Sequence, residues 1–263
     1  MIRGLYSAAS GLITSEAKQN VIMNNIANAN TSGYKSENIS IKSFDQVMIS
    51  NRDKMQGNRN VINNIGYLSN GSEIDERNTN FSQGLVKETG IKTDFAIEGE
   101  GFFVVQRNEV GGTKNYYTRD GHFNIDGNGY LVTVNGDRVL GYNNNGQLEP
   151  VYVGSGNISC SKEGVISVDG ARRSQIAVAD FTKKDNKYDN LNKVSDNLYE
   201  GENPILATNY SVKQSSLEAA NVDIIKEMSD MMAVMRNFES DTKVLKALDE
   251  TLGKAVNEIG TVR

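Results

Sequence analysis

The sequence is poor in the residues most often used for covalent and metal chemistry. It has one cysteine, one histidine, two prolines and no tryptophan in 263 residues. A single cysteine cannot close an internal disulfide, and Cys160 lies in an alternating, strand-like stretch, where it reads as a buried, inert thiol. One His and one Cys, far apart in the chain, make no metal-ligand cluster, so no metal site and no cofactor are expected. Lys and Arg number 28 against 33 Asp and Glu, a net charge of -5. The charges are scattered in short mixed groups, so there is no basic stripe to track a phosphate backbone and no nucleic-acid partner is expected. No apolar run approaches the roughly 18 residues that a membrane span needs, so no membrane insertion is expected. The first residues, Met1 to Ala9, carry one Arg and no secretory apolar run. Export routes that read a polar N-terminus leave no such mark.

Glycine and short periodic segments fill the space left by these absences. With 25 Gly and 38% hydrophobic residues, the chain suits many turns around a real core. From Ile2 to about Ala29 there is no Pro, and Ile2, Leu5, Ala9, Leu12, Met23 and Ile26 recur at helical spacing. A second apolar stripe, Tyr6, Ile13, Ala17 and Val21, lies around the cylinder from the first, and one packing partner would not cover both. A line of small residues, Gly4, Ala8, Gly11 and Ser15, suits close approach by a neighbouring helix. Gly within a helix otherwise costs about 1 kcal/mol relative to Ala.

Near the other end, Leu217, Asn221, Ile224, Met228, Met231, Met235, Phe238, Thr242, Leu245, Asp249, Leu252, Val256 and Ile259 follow alternating steps of four and three. That pattern predicts a long coiled-coil-like helix. Met228, Met231, Met232 and Met235 supply adaptable thioether surface.

Between the helices, Phe95 to Val105, Tyr116 to Thr118, His122 to Ile125, Tyr130 to Val134, Val139 to Tyr142, Val165 to Val168 and Gln175 to Phe181 read as strands. Asp120-Gly121, Asp126-Gly127, Asn135-Gly136, Asn145-Gly146 and Asp169-Gly170 stand where positive backbone dihedrals would close hairpins. The expected fold class is therefore α+β. Along the chain this gives an N-terminal helix (1–34), an extended, Asn-rich connector (35–80), a central antiparallel all-β domain (81–210) and a C-terminal helix (211–263).

Chemistry finds little purchase. His122 is expected at a hairpin surface, without a nucleophile fixed near it in sequence. Glu98 with Glu100, and Asp120 with Asp126, are the available carboxylate pairs for glycan hydrolysis. Both aspartates precede Gly, as turn chemistry requires. Gly99-Glu100-Gly101 lacks the strand-to-helix context of a dinucleotide loop, because Phe102-Phe103-Val104-Val105 continues as strand. The Gly pair instead predicts a sharp bend between packed strands. No catalytic residue is expected.

The run Asn24-Asn25-Ile26-Ala27-Asn28-Ala29-Asn30-Thr31-Ser32-Gly33-Tyr34-Lys35 resembles the signature that ends the N-terminal helix in bacterial flagellar rod and hook proteins. Within it, Asn24, Asn25, Asn28, Gly33 and Tyr34 form the expected helix stop: Asn tolerates left-handed geometry, Gly33 supplies it freely, and Tyr34 can pack on the preceding turn. Phe81-Ser82-Gln83-Gly84-Leu85 and Asp94-Phe95-Ala96-Ile97-Glu98-Gly99-Glu100-Gly101-Phe102-Phe103 resemble the start of that family's central domain. Tyr117-Thr118-Arg119-Asp120-Gly121-His122-Phe123 resembles its next hairpin, and Leu217-Glu218-Ala219-Ala220-Asn221-Val222-Asp223 the approach to its C-terminal helix.

The resemblance implies that the N- and C-terminal helices pair into one discontinuous coiled-coil domain, and that the protein is a structural subunit of the flagellar basal-body rod, exported by the flagellar type III apparatus. It would polymerise with its own copies into a helical tube that transmits torque and passes exported subunits, in contact with other rod and hook proteins. A distal rod position is expected, with a proximal rod protein of similar size as the alternative and a rod-associated glycan hydrolase as the reading from another class. The assembly surface would comprise Leu5, Ala9, Leu12, Ile13 and Ile26 with Leu217, Ile224, Met228, Met231, Met235, Phe238, Leu245 and Leu252. Phe44 and Met48 resemble a short export signal.

Overall fold

A computed structural model describes residues 2–56, 59–109, 111–143, 145–154, 156–181, 188, 191–195 and 197–259. They form two compact units. One comprises Met1–Ala27, Glu37–Asn80 and Asp223–Arg263; the other comprises Asn28–Ser36 and Phe81–Val222.

The first unit contains both long helices, α1 (Ile2–Ala27) and α2 (Ile224–Lys254), the latter followed by a π-helical turn, Ala255–Ile259. Asp223 caps α2: its carboxylate accepts from the backbone amides of Ile225 and Lys226 at 3.0 and 3.2 Å, satisfying two of the donors that a helix start leaves open. The helices pack antiparallel. A Cβ added at Gly4 would lie 3.5 Å from Leu248 and one at Gly11 2.9 Å from Asp241, while Asn25 donates to Glu227 at 3.2 Å. Each step along α1 therefore matches an equal step back along α2. The expected line of small residues finds its reason here, since Gly4 and Gly11 admit side chains of the opposing helix. Ala8, Val21, Ile22 and Val234 are the buried apolar residues of this pair.

The same unit holds β1 (Glu37–Ser43), β2 (Val47–Gln56), β3 (Arg59–Leu68) and β4 (Ser72–Thr79). β1 pairs with β4 and β2 with β3, each as an antiparallel two-stranded ribbon. This differs from the extended connector expected over 35–80. The ribbons are held by ladder hydrogen bonds while the described side chains are half-buried or exposed, so no apolar alternation marks them in the sequence. The β1–β4 ribbon rests on α1, where Ser10 Oγ accepts from the amide of Ser72 at 3.2 Å.

The second unit is all β. In chain order its strands are β5 (Val86–Glu88), β6 (Phe95–Gly99), β7 (Phe102–Glu109), β8 (Gly112–Thr118), β9 (Phe123–Ile125), β10 (Leu131–Thr133), β11 (Arg138–Tyr142) and β12 (Leu148–Pro150). There follow β13 (Ile158–Cys160), β14 (Val165–Val168), β15 (Ala171–Ile176), β16 (Val178–Asp180), β17 (Leu191–Ser195), β18 (Leu198–Gly201), β19 (Ile205–Leu206), β20 (Tyr210–Gln214) and β21 (Ser216–Glu218). The main sheet runs β13-β14-β15-β11-β7-β8-β18-β17, with β9, β10, β12, β16 and β19 branching from it; β20 pairs with β6 and β21 with β5. Every one of these pairings is antiparallel.

The uninterrupted run Phe102-Phe103-Val104-Val105 explains the centre of this unit. A strand buried on one face alternates; a strand buried on both need not. Phe103 and Val105 enter one core with Tyr116, Phe123, Leu131 and Val139. Phe102 and Val104 enter a second core with Tyr117, Leu140, Phe181 and Tyr199. Truncating Phe102 or Phe103 to Ala would cost about 3–5 kcal/mol.

Turns follow the sequence with two corrections. Asp169 and Gly170 adopt φ of 50° and 82° between β14 and β15, and Gly136 and Gly146 are also left-handed. Gly99 and Gly101, at φ 104° and 113°, bend the chain from β6 into β7 as expected. Gly121 and Gly127 have no positive φ. At Gly121 the requirement is space: a Cβ would fall 1.6 Å from the carbonyl oxygen of Phe95.

Candidate functional site

The helical surface residues fall into two sets. Leu5, Ala9, Leu12, Ile26, Met231, Leu245 and Leu252 are half-buried, whereas Ile13, Ile224, Met228, Met235 and Phe238 are exposed. Leu217 belongs to neither, because it lies on β21 in the β unit. Its helical spacing was a false continuation: the helix begins only after the Asp223 cap, and Leu217 pairs with Lys87 of β5. Tyr6 and Val256, on predicted stripes, are also exposed, and Ile225, Met232 and Val244 add exposed apolar surface off them, with Ile225 80% and Val256 70% exposed.

The Asn-rich stop works by hydrogen bonding. Among the described residues, no Asn from 24 to 30 takes a positive φ; in this segment only Gly33 does, at 66°. Asn25, buried at the end of α1, binds Glu37 of β1 through both ends of its amide. Its Oδ1 accepts from the Glu37 amide at 3.0 Å, and its Nδ2 donates to the Glu37 carbonyl at 2.9 Å. The Asn28 carbonyl and side chain accept from the Thr31 amide and hydroxyl at 3.0 and 3.2 Å. Asn24 is exposed on the last turn of α1. Gly33 is forced twice, by its dihedral and by space: a Cβ there would sit 2.3 Å from the Asp120 amide nitrogen. Tyr34 is buried, with the Lys193 ammonium 4.7 Å from its ring centroid.

Beside Gly33 the β unit buries an ion triad that sequence reasoning missed. Lys35 Nζ donates to Glu218 Oε1 at 2.6 Å and to the Ser82 carbonyl at 2.8 Å. Arg119 Nη1 reaches Glu218 Oε2 at 3.3 Å, and its Nη2 donates to the Gly99 carbonyl at 2.8 Å. The Gly84 amide also donates to Glu218 Oε1, at 2.8 Å, and the Gly33 amide to the Glu218 carbonyl, at 2.8 Å. The Lys35 and Glu218 side chains are each 1% exposed. Burial pushes the Lys35 ammonium below its usual range; the Glu218 carboxylate opposes that shift and the Arg119 guanidinium adds to it. Asn221 completes the group: its Oδ1 accepts from the Ser36 amide at 2.7 Å and its Nδ2 donates to the Ser82 carbonyl at 3.0 Å. The signal available in the sequence was one basic and one acidic residue inside the two most distinctive motifs, 183 positions apart.

The carboxylates weighed for hydrolysis have other occupations. Glu98 and Glu100 are exposed. Asp126 accepts from the amides of Asn128 and Tyr130 within its turn, which holds its pKa low. Asp120 accepts from Ser32 Oγ at 2.5 Å and from the His122 amide at 3.0 Å, and burial raises its pKa. His122 is half-buried, with Nδ1 2.9 Å from the buried carboxylate of Asp94, so it is a tethered residue and not a free hairpin surface group. A cavity of about 430 Å³ opens beside Asn30, Ser32, Asp120 and His122. Among the described residues no cluster of His, Cys, Asp and Glu could hold a metal ion, and no helix is long and apolar enough to cross a membrane. Phe44, 38% exposed, has its ring over Gly71, and Met48 is exposed on β2.

Comparison with known proteins now places this architecture. The family described as flagella basal body rod protein matches residues 5–35, covering α1 and the helix stop. The flagellar hook protein FlgE/F/G D1 domain matches residues 96–168, and the flagellar basal body rod FlgEFG protein C-terminal domain matches residues 213–258. The flagellar basal-body rod protein FlgG of Bacillus subtilis is 32% identical over 98% of this chain and 99% of its own length. The flagellar hook-basal body complex protein FlhO of the same organism is 30% identical over the whole of both chains. Flagellar basal-body rod protein FlgF of Rhizobium meliloti is likewise 30% identical over the whole of both. With likeness running from one end to the other, through the helix stop, the β unit and α2, the chain belongs to the flagellar basal-body rod protein family, a family of structural proteins of the flagellar basal body.

Proposed function

We propose that this protein is an axial rod subunit that polymerises with its own copies into a helical tube, transmitting torque along the tube and leaving an axial passage for exported subunits. The observation that carries the reading is the unspent apolar surface of α1 and α2. Ile13, Ile225, Met228, Met232, Met235 and Phe238, with Val256 in the turn after α2, are exposed in the single chain, a surface that in water favours burial against further helices. The equal advance of the contacts along both helices supports an antiparallel coiled-coil-like pair, and the half-buried set, Leu5, Ala9, Leu12, Ile26, Met231, Leu245 and Leu252, would be covered further when a neighbour docks. Stiffness would come from side chains interlocked between copies, and no bond need be made or broken. Contacts with other rod and hook proteins, and export through the flagellar type III apparatus with Phe44 and Met48 in a recognition segment, belong to the same reading. The distal rod is the position proposed. The proximal rod is the second reading, because relatives with different names match this chain at nearly equal identity over almost its full length.

The test uses exposed residues that the fold does not need. Ile225→Ser, Met228→Ser and Met232→Ser combined should leave the circular dichroism and melting of the purified protein unchanged. In cells lacking the native gene, the triple variant should abolish motility and leave basal bodies without a complete rod. Normal rods and swimming would overturn the proposal. Site-specific crosslinking from Phe238 in intact basal bodies would decide between the two positions by the axial proteins captured.

A further inference from the structure

The chain passes between the helical unit and the β unit near residues 27, 36, 80 and 222. Three of these four crossings lie within two residues of a group bonded into one cluster around the buried Lys35, Arg119 and Glu218. Ser36 donates to Asn221; Ser82 receives Lys35 and Asn221; and Asn221 itself stands just before the last crossing. Glu218 then ties the strands together, taking Lys35, Arg119 and the Gly84 amide on its carboxylate and the Gly33 amide on its carbonyl.

This cluster is poorly composed for stability. It buries two cations against one carboxylate, and among the described residues the Nε of Arg119 has no hydrogen-bond partner. A buried pair of this kind commonly does no better than apolar residues of the same shape, and an orphaned donor is a further cost. What the charges do supply is direction. Each bond fixes one strand of backbone against another at a defined spacing, which apolar packing does only loosely.

We propose that Lys35, Glu218 and Arg119, with Asn221, form a positioning clasp: they fix the spacing of the three strands of chain where they leave the β unit, and they contribute little to the unit's stability. The consequence for the assembled rod rests on the rod-subunit reading above. The clasp itself does not.

Lys35→Met in the full-length protein separates positioning from stability, because it leaves Glu218 and Arg119 as a matched pair. Its melting temperature should stay within a few degrees of the native protein, whereas Glu218→Gln, which leaves two buried cations, should melt far lower. In the double variant part of that loss should return. Amide exchange should accelerate at least 10-fold at Ser36 and Gly84 in Lys35→Met and remain unchanged at Val104. Cells carrying Lys35→Met should swim poorly despite normal levels of folded protein. Unchanged exchange at Ser36 and Gly84 would overturn the clasp. So would a melting loss in Lys35→Met equal to that of Glu218→Gln, since the lysine would then be a stabilising element. If the native gene itself fails to restore motility, the rod-subunit reading falls while the exchange data still decide the clasp.

Discussion

Asn25 offers the sharpest test of how the helix stop works. Its buried amide makes a two-ended bond to the Glu37 backbone and a third bond to Glu227. Asn25→Ala removes all three and leaves the Glu37 amide and carbonyl competing for what water can reach them. At about 1–3 kcal/mol for an orphaned buried group, the loss should be about 2–4 kcal/mol. Asn25→Asp keeps the shape and the acceptor for the Glu37 amide, but points a second oxygen at the Glu37 carbonyl and the Glu227 carboxylate. The latter is already held above its usual pKa by burial, with the Asn25 hydrogen bond opposing that shift.

With its new carboxylate ionised, the Asn25→Asp variant should therefore be less stable than Asn25→Ala at neutral pH, by an added cost on the order of 1–3 kcal/mol. The folded-state pKa of that carboxyl would lie above its unfolded value, so its stabilising contribution is present below the unfolded pKa and is lost as pH rises through the folded one. Relative to the native protein at each pH, Asn25→Asp should recover on acidification much more than Asn25→Ala, which loses only the hydrogen bond that holds the Glu227 pKa down. Urea unfolding and exchange of the Glu37 amide, measured between pH 4 and pH 7 (a window set about the ordinary carboxylate range), provide the assay. Parallel behaviour of the two variants across that range would refute the bonding scheme.

Three further outcomes are expected. Gly33→Ala adds a left-handed Ala, costing roughly 1–2 kcal/mol, to a Cβ that would meet the backbone at Arg119 and Asp120; a lowered urea midpoint with faster exchange of the amide at position 33 is expected, and a midpoint equal to the native one would contradict it. Asp120→Asn keeps both of its hydrogen-bonded donors while removing a carboxylate whose pKa burial has raised; since the native group's contribution declines as pH rises through its folded pKa, the variant should equal or exceed native stability at pH 7 and flatten the decline above the ordinary carboxylate range, as thermal melts at several pH values would reveal. Burial pushes the Cys160 thiol up to about 12, so alkylation by iodoacetamide at pH 8 (below the ordinary thiol range) should be slow in the folded protein and at least 10-fold faster in urea; equal rates would place the thiol in solvent.

The parts legible in the sequence were those governed by local chemistry. Helical spacing located α1 and α2, and the double-faced run Phe102 to Val105 announced a central strand, because backbone geometry converts spacing directly into faces. Gly99, Gly101, Gly136, Gly146 and Gly170 declared themselves because a positive φ is a property of a single residue. Tertiary structure alone decided the rest. It made ribbons of residues 37–79, whose strands bury too little to alternate, and it ended the C-terminal periodicity at the Asp223 cap, assigning Leu217 to a strand. It also turned Asn25 from a conformational stop into a hydrogen-bonding hook. Lys35, Arg119 and Glu218 were ordinary charges in the chain until folding removed their water, and only partners brought from distant positions could then determine what each does.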